Sequence, residues 1–196
     1  MAGMRKTRVT TSPEQQETAI LDAAAIEFTD VGVRQANMDA IARAAGVSRS
    51  TLYRRFPSKE NLLIALANEA FERGMTELEG AVAGLEPAAA VVEAFAHGAA
   101  MIDADPLLHR MVIDDAEIRT LTASMSAMFI DMVTDRVAGS LRTAGATMPD
   151  EELRRAVEIH VRLVISYLEL PSSDEAQRTP EAVRSLAATF LAPMVY

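Results

Sequence analysis

The sequence predicts an all-α protein, and three observations lead there. Ala, Leu, Glu, Arg and Met, the strong helix formers, dominate its 196 residues. Apolar residues recur at spacings of three and four, while alternating β-branched and aromatic segments are absent. Pro and Gly punctuate the periodic stretches, as at Pro106, Gly145–Pro149 and Pro171–Pro180. With 49% hydrophobic and 24% charged residues, the chain has the profile of a soluble protein that buries a real core.

Residues 1–11 read as a flexible basic arm carrying Arg5, Lys6 and Arg8. No apolar run follows them, which argues against a signal peptide, and no stretch has the roughly 18 uncharged apolar residues of a membrane span. A cytoplasmic location with no membrane partner is the expectation. The first helix opens where Ser12 can cap, Pro13 suits the first helical position and Gln15 completes a capping box. Ile20, Ala23, Ala24, Phe28 and Val31 form one apolar face, and Gly32 supplies a positive-φ stop.

Two short helices come next. Asn37 caps a segment with Met38, Ile41, Ala42 and Ala45 inward, closed by Gly46. Val47 fills the turn, and Ser48 caps a second segment with Leu52 and Phe56 inward, ended by Pro57. Ser58 then starts a longer helix through Leu62, Leu63, Leu66, Phe71 and Met75 that fades near Gly80–Gly84. Five further helices are expected near 87–103, 106–115, 117–144, 150–169 and 180–192, about nine in all. The 117–144 stripe (Ile118, Leu121, Met125, Met128, Phe129, Met132, Val137, Leu141) is wider than a lone amphipathic helix needs. So is that of 150–169 (Leu153, Val157, His160, Val161, Val164, Leu168). Both helices belong in a core or an interface.

Charge and composition narrow the function. The net charge is -9, but residues 1–60 hold 9 Lys/Arg against 7 Asp/Glu, and the remainder 10 against 21. The basic excess sits at the N-terminal end, where it permits contact with phosphate. The absence of cysteine excludes disulfides, thiolate zinc sites and a cysteine nucleophile. His97, His109 and His160 have no ligand-like spacing, so no metal site is expected, and a hydrogen-bonded structural role is the commoner one for His97 and His160. Asp103, Asp105, Asp114 and Asp115 fit helix ends and solvated faces better than a cation site. No Gly-rich phosphate loop, Gly-x-Ser-x-Gly or His-Glu-x-x-His is present, so neither an enzyme nor a cofactor is expected.

Met38–Phe56 carries the sharpest signal. A short helix, a Gly-Val-Ser turn and a second short helix make a helix-turn-helix, with Arg49, Ser50, Thr51, Tyr53 and Arg54 outward and Leu52 and Phe56 as feet. Spacing alone leaves a second reading open, a helical hairpin with a solvated face. The run IARAAGVSRSTLYRRFPSKENLL (Ile41–Leu63), preceded by ILDAAAIEFTDVG (Ile20–Gly32), closely resembles the TetR family of bacterial regulators. The resemblance covers about the first 65 residues; beyond them only the architecture matches.

The resemblance implies phosphate contacts at Ser48, Tyr53 and Lys59, and base-edge contacts at Arg49, Ser50, Thr51 and Arg54. Arg55 stands where the family usually has His and keeps a permanent charge for phosphate. Asn37, counted with this set, caps where the family often has Thr. The basic arm is either a minor-groove contact or a disordered tail. The family architecture also implies a homodimer on a near-palindromic double-stranded operator, with residues 12–57 as DNA-binding domain and 58–196 as a helical bundle for ligand binding and dimerisation.

Within that bundle, Val157, Val161, Leu168, Val183, Leu186 and Phe190 are the interface candidates, with intramolecular packing as the alternative. The 11 methionines supply Met75, Met101, Met111, Met125, Met128 and Met132, which with Phe71, Phe95, Phe129 and His160 form the candidate pocket. Singly they are ordinary core filler; as a group they point to a small apolar or aromatic effector. The reading is a ligand-responsive repressor released by that effector. Control by a protein partner, or activation by the ligand, is the alternative.

Overall fold

The computed structural model describes residues 12–110 and 123–196, with residues 123–126 described in backbone only. Among the described residues there are nine α-helices and no strand. They are α1 (Pro13–Gln35), α2 (Met38–Ala44), α3 (Arg49–Arg55), α4 (Lys59–Val82), α5 (Pro87–Ala104), α6 (Pro106–His109), α7 (Ala123–Thr143), α8 (Asp150–Glu169) and α9 (Pro180–Leu186). The chain forms two compact units that part between Asn68 and Glu69. That division falls inside α4, beyond the boundary read from Pro57, because Leu62, Leu63 and Leu66 belong to the first unit's buried residues.

Capping chemistry sets the helices of the first unit. The Ser12 side chain accepts from the Gln15 amide, and the Gln15 side chain returns the bond to the Ser12 amide, so two orphan donors are satisfied reciprocally. Ile20, Ala23, Ala24 and Phe28 are buried along α1. Val31, expected on the same face, is 41% exposed; the helix breaks at the next residue, Gly32, whose φ of 79° leaves the helical region. Asn37 Oδ1 accepts from the amides of Asp39 and Ala40 to start α2. Gly46, at φ 67°, ends it in a left-handed turn that L side chains rarely adopt. A Cβ there would meet nothing within 4 Å, so the requirement is conformational, not one of space.

The second unit is built around α5, which packs against α6, α7, α8, α9 and the C-terminal turns. Its buried residues include Phe95, Leu141, Leu153 and Val157. α6 is closed on the N-terminal side by Asp105 Oδ1, which accepts from the amides of Leu107 and Leu108. The helix expected over 106–115 is described as far as Arg110, and that over 117–144 from Ala123 onward. The one expected over 180–192 is helical through Leu186 and continues as a π turn (Ala187–Leu191) and a 3₁₀ turn (Ala192–Met194). Exposed ion pairs join the helices at Arg136–Glu79, Arg184–Glu93 and Arg73–Asp105, each a small contribution at the surface.

Candidate nucleic-acid interface and internal cavity

α3 splits its residues as a groove-reading helix requires. Leu52 is fully buried and Phe56 nearly so, anchoring the helix, while Arg49, Ser50, Tyr53 and Arg54 are exposed and Thr51 is half-buried. Ser48 Oγ accepts from the Thr51 amide at 3.1 Å and lies 2.9 Å from Ser50 Oγ and 2.7 Å from Thr51 Oγ1. The start of the helix therefore presents a linked cluster of hydroxyls.

The cations differ in how free they are. Arg49 pairs with Asp39 at 3.0 Å and sits 5.4 Å from the Tyr53 ring centroid, a cation–π arrangement. Arg55 is held by Glu17 at 2.8 Å, its side chain only 21% exposed. Arg54, exposed, has no ion pair or hydrogen bond among the described residues. Lys59 Nζ donates to the carbonyls of Arg34 (2.7 Å) and Ala36 (3.0 Å). Lys59 therefore closes the end of α1, with two of its three donors in use there. Asn37 is occupied as a cap. The arm of residues 1–11 lies outside the described residues.

In the second unit, helices α4, α5, α7 and α8 wall a cavity of about 90 Å³. Phe71, Met75, Phe95, Met101, Phe129 and His160 of the candidate set line it. Phe71 and Phe129 meet edge to face, centroids 5.8 Å apart. Among the described lining residues His160 is the only one with a polar side chain. It is 7% exposed, and its Nε2 has no hydrogen-bond partner among the described residues. Burial pushes its pKa down to about 4, so the imidazole is neutral at physiological pH. Met101 reaches the cavity over Gly74: a Cβ on that glycine would lie 2.3 Å from Met101 Sδ.

The comparisons agree with this layout. Residues 20–66 match the profile described as "Bacterial regulatory proteins, tetR family", and residues 86–189 match "Bacterial Tetracyclin repressor, C-terminal domain". The chain belongs to the TetR family. An uncharacterized HTH-type transcriptional regulator of Mycobacterium tuberculosis is 31% identical over 177 residues, covering 90% of this chain and 83% of that protein. The repressor AlkX from a Dietzia strain, described as implicated in biodegradation of n-alkanes, superposes with a TM-score of 0.64 at 22% identity, covering 97% of this chain and all of that one. RolR in complex with resorcinol gives 0.64 at 20% identity over 93% of this chain and 88% of that one. These two likenesses carry the fold. As a TetR-family member the chain is a DNA-binding transcriptional regulator, not an enzyme.

Several residue assignments change against this TetR framework. Met128 is 53% exposed, and Met132 packs on the core without lining the cavity, because both lie off the α7 face that carries Phe129 and Val133. Met111 and the Met125 side chain lie outside the described residues. Val157 and Val161, named for an interface, line the cavity, and Val157 is wholly buried. Val183 is buried in the core, and Leu168 and Leu186 pack against it, half-buried. Of that set Phe190 alone is strongly exposed, at 67%. The exposed apolar residues on α8 are Ile159 and Leu163, one turn apart on a different face.

The sequence reading missed two kinds of residue. Glu17 and Asp39 restrain the arginines, a long-range pairing in the first case that periodicity cannot reveal. Val157 and Val164 sit at i−3 and i+4 from His160 and so share its face, a signal that was present. His97, half-buried, approaches Glu77 at 3.8 Å, beyond hydrogen-bond distance. Among the described residues no group of three or more His, Cys, Asp or Glu is placed to hold a metal, and no helix is long and apolar enough to cross a membrane.

Proposed function

We propose that this chain binds a near-palindromic double-stranded operator as a homodimer and represses until a small apolar or aromatic effector enters the cavity. The observation that carries the reading is the pairing, in one chain, of an outward Arg–Ser–Thr–Tyr–Arg helix with an apolar cavity holding one unpartnered polar atom. Two α3 helices in a symmetric dimer would meet successive major grooves, about 34–36 Å apart. Arg54, Ser50, Thr51 and a released Arg49 face the base edges; Ser48, Tyr53 and Arg55 face phosphates, with Lys59 holding α1 in place. The dimer surface consists of Ile159 and Leu163 with Phe190 as a further exposed contact, which supersedes the buried valines.

α4 contributes Leu62 and Leu66 to the first unit and Phe71 and Met75 to the cavity wall. An effector that displaces the wall therefore acts on a helix the DNA-binding unit also uses. A coupling of about 1–3 kcal/mol would weaken operator binding several-fold to a hundredfold.

The test is selection of bound sequences from a random duplex pool, followed by titration of the complex with small aromatic and aliphatic compounds. A palindrome with half-sites about one helical turn apart, released by a cavity ligand, is the expected result. Tight cavity binding that leaves DNA affinity unchanged refutes the linkage. Tighter DNA binding on ligand addition means activation by ligand.

A further inference from the structure

We infer that the cavity selects an electrically neutral ligand with a single hydroxyl or equivalent hydrogen-bonding group, seated on His160 Nε2, and that it rejects carboxylates. This rests on the cavity being the effector site and adds the chemical class of the effector.

Every described lining side chain except that of His160 is hydrocarbon or thioether. His160 is 7% exposed, lines the cavity, and leaves Nε2 without a hydrogen-bond partner among the described residues. A buried polar atom in that condition is costly, and the ligand is the group available to satisfy it. Nε2 of a neutral imidazole donates in one tautomer and accepts in the other, so either a hydroxyl or a carbonyl can meet it. A carboxylate is a different matter. No Lys or Arg is among the described lining residues, so none of them would pair its charge. His160 does not supply the missing cation, because burial holds its pKa down to about 4.

Size adds a second constraint. A cavity of about 90 Å³ is smaller than the roughly 150 Å³ that accommodates benzene. Entry of one ring therefore requires a wall residue to swing aside, and Met75 and Met101 are the flexible ones.

Calorimetric titration of the full chain at pH 7.5 with phenol, toluene and benzoate tests this, alongside His160→Leu. Phenol and toluene are expected to bind, and benzoate not to saturate at about a hundredfold higher concentration. The phenol-to-toluene affinity ratio is expected to fall about tenfold in His160→Leu, the equivalent of about 1.4 kcal/mol. Benzoate binding within tenfold of phenol overturns the neutrality requirement in the wild-type protein alone, whether or not the variant folds. An unchanged ratio in a folded His160→Leu overturns the His160 assignment, as does a wild-type protein that binds toluene but not phenol; both leave the cavity standing as an effector site. If none of the three binds to protein whose helicity is intact, the cavity reading falls and this one with it.

Discussion

Replacing His160 by Leu changes the acid stability of the protein in a way the structure fixes in sign. The folded chain keeps this imidazole neutral down to about pH 4, whereas an unfolded chain protonates it near 6.5. Between those values the unfolded state binds more protons, so stability falls as the pH falls. Each pH unit between the two costs about 1.4 kcal/mol, so the penalty builds to roughly 3 kcal/mol and is complete below pH 4. Leu cannot titrate, so His160→Leu removes the penalty. It also removes the unpartnered Nε2, a gain of about 1–3 kcal/mol present at neutral pH as well. The assay is urea unfolding of both proteins between pH 7.5 and 4.5, at one fixed protein concentration. Glu93, held below the usual carboxylate range by its hydrogen bond from Arg184, also loses stabilisation in acid, but it is common to both proteins and cancels in the difference. The variant is expected to be the more stable at pH 7.5, with its advantage widening steadily on acidification. Parallel profiles would mean that His160 is solvated or hydrogen-bonded, and the reasoning about the cavity's polar atom would fail.

The DNA-binding unit and the bundle give four further tests. Glu17→Gln frees Arg55 from its ion pair and is expected to strengthen operator binding several-fold at low salt, while Arg55→Ala flattens the log–log salt slope by about 0.9; anisotropy titrations read both. Lys59→Met leaves the Arg34 and Ala36 carbonyls without their charged donor and is expected to destabilise the protein by about 1–3 kcal/mol in urea unfolding; a loss confined to DNA affinity would return Lys59 to a purely phosphate-binding role. Gly74→Ala drives Met101 off its seat and into the cavity, so ligand binding is expected to weaken while a helix-propensity gain of about 1 kcal/mol offsets part of the packing loss; unchanged phenol affinity would refute the wall geometry. Ile159→Glu with Leu163→Glu is expected to yield monomers in sedimentation velocity, and a persisting dimer would move the interface elsewhere.

Much of the architecture was legible because it is written in local chemistry. Ser12 with Gln15, Asn37, Gly46 and Ser48 act through bonds or backbone angles within a few residues, and each sits where the sequence placed it. The burial of Leu52 and Phe56 on one side of α3 followed from period, since they are four apart. Pairings across the fold were not legible. Glu17 with Arg55 and Lys59 with the α1 carboxyl end join segments distant in sequence, and no spacing rule anticipates them. Of the interface candidates, Val157, Val161 and Val183 are covered by the chain itself while Phe190 stays exposed, and that division was not legible for another reason. α8 is apolar on two sides, and a hydrophobic count cannot say which side the chain itself covers.

That two-sidedness bears on how the regulator would work. Val157, His160 and Val164 give one face of α8 to the cavity, while Ile159 and Leu163 remain 46% and 37% exposed on another. Finishing the burial of side chains already partly covered is worth about 1 kcal/mol each, a fraction of the roughly 1.5–3 kcal/mol for full burial. With Phe190, a two-fold pair would bury six such side chains, roughly 6 kcal/mol, against an association cost of about 4–15 kcal/mol. The apolar stripe alone therefore leaves self-association marginal, and modest changes along α8 can tip it. A ligand that shifts the monomer–dimer constant by acting on the cavity face must, by reciprocity, bind monomer and dimer with affinities differing by the same factor. Effector affinity measured on the Ile159→Glu, Leu163→Glu protein and on the wild type reads that factor directly. Equal affinities would place the coupling in α4 and exclude α8.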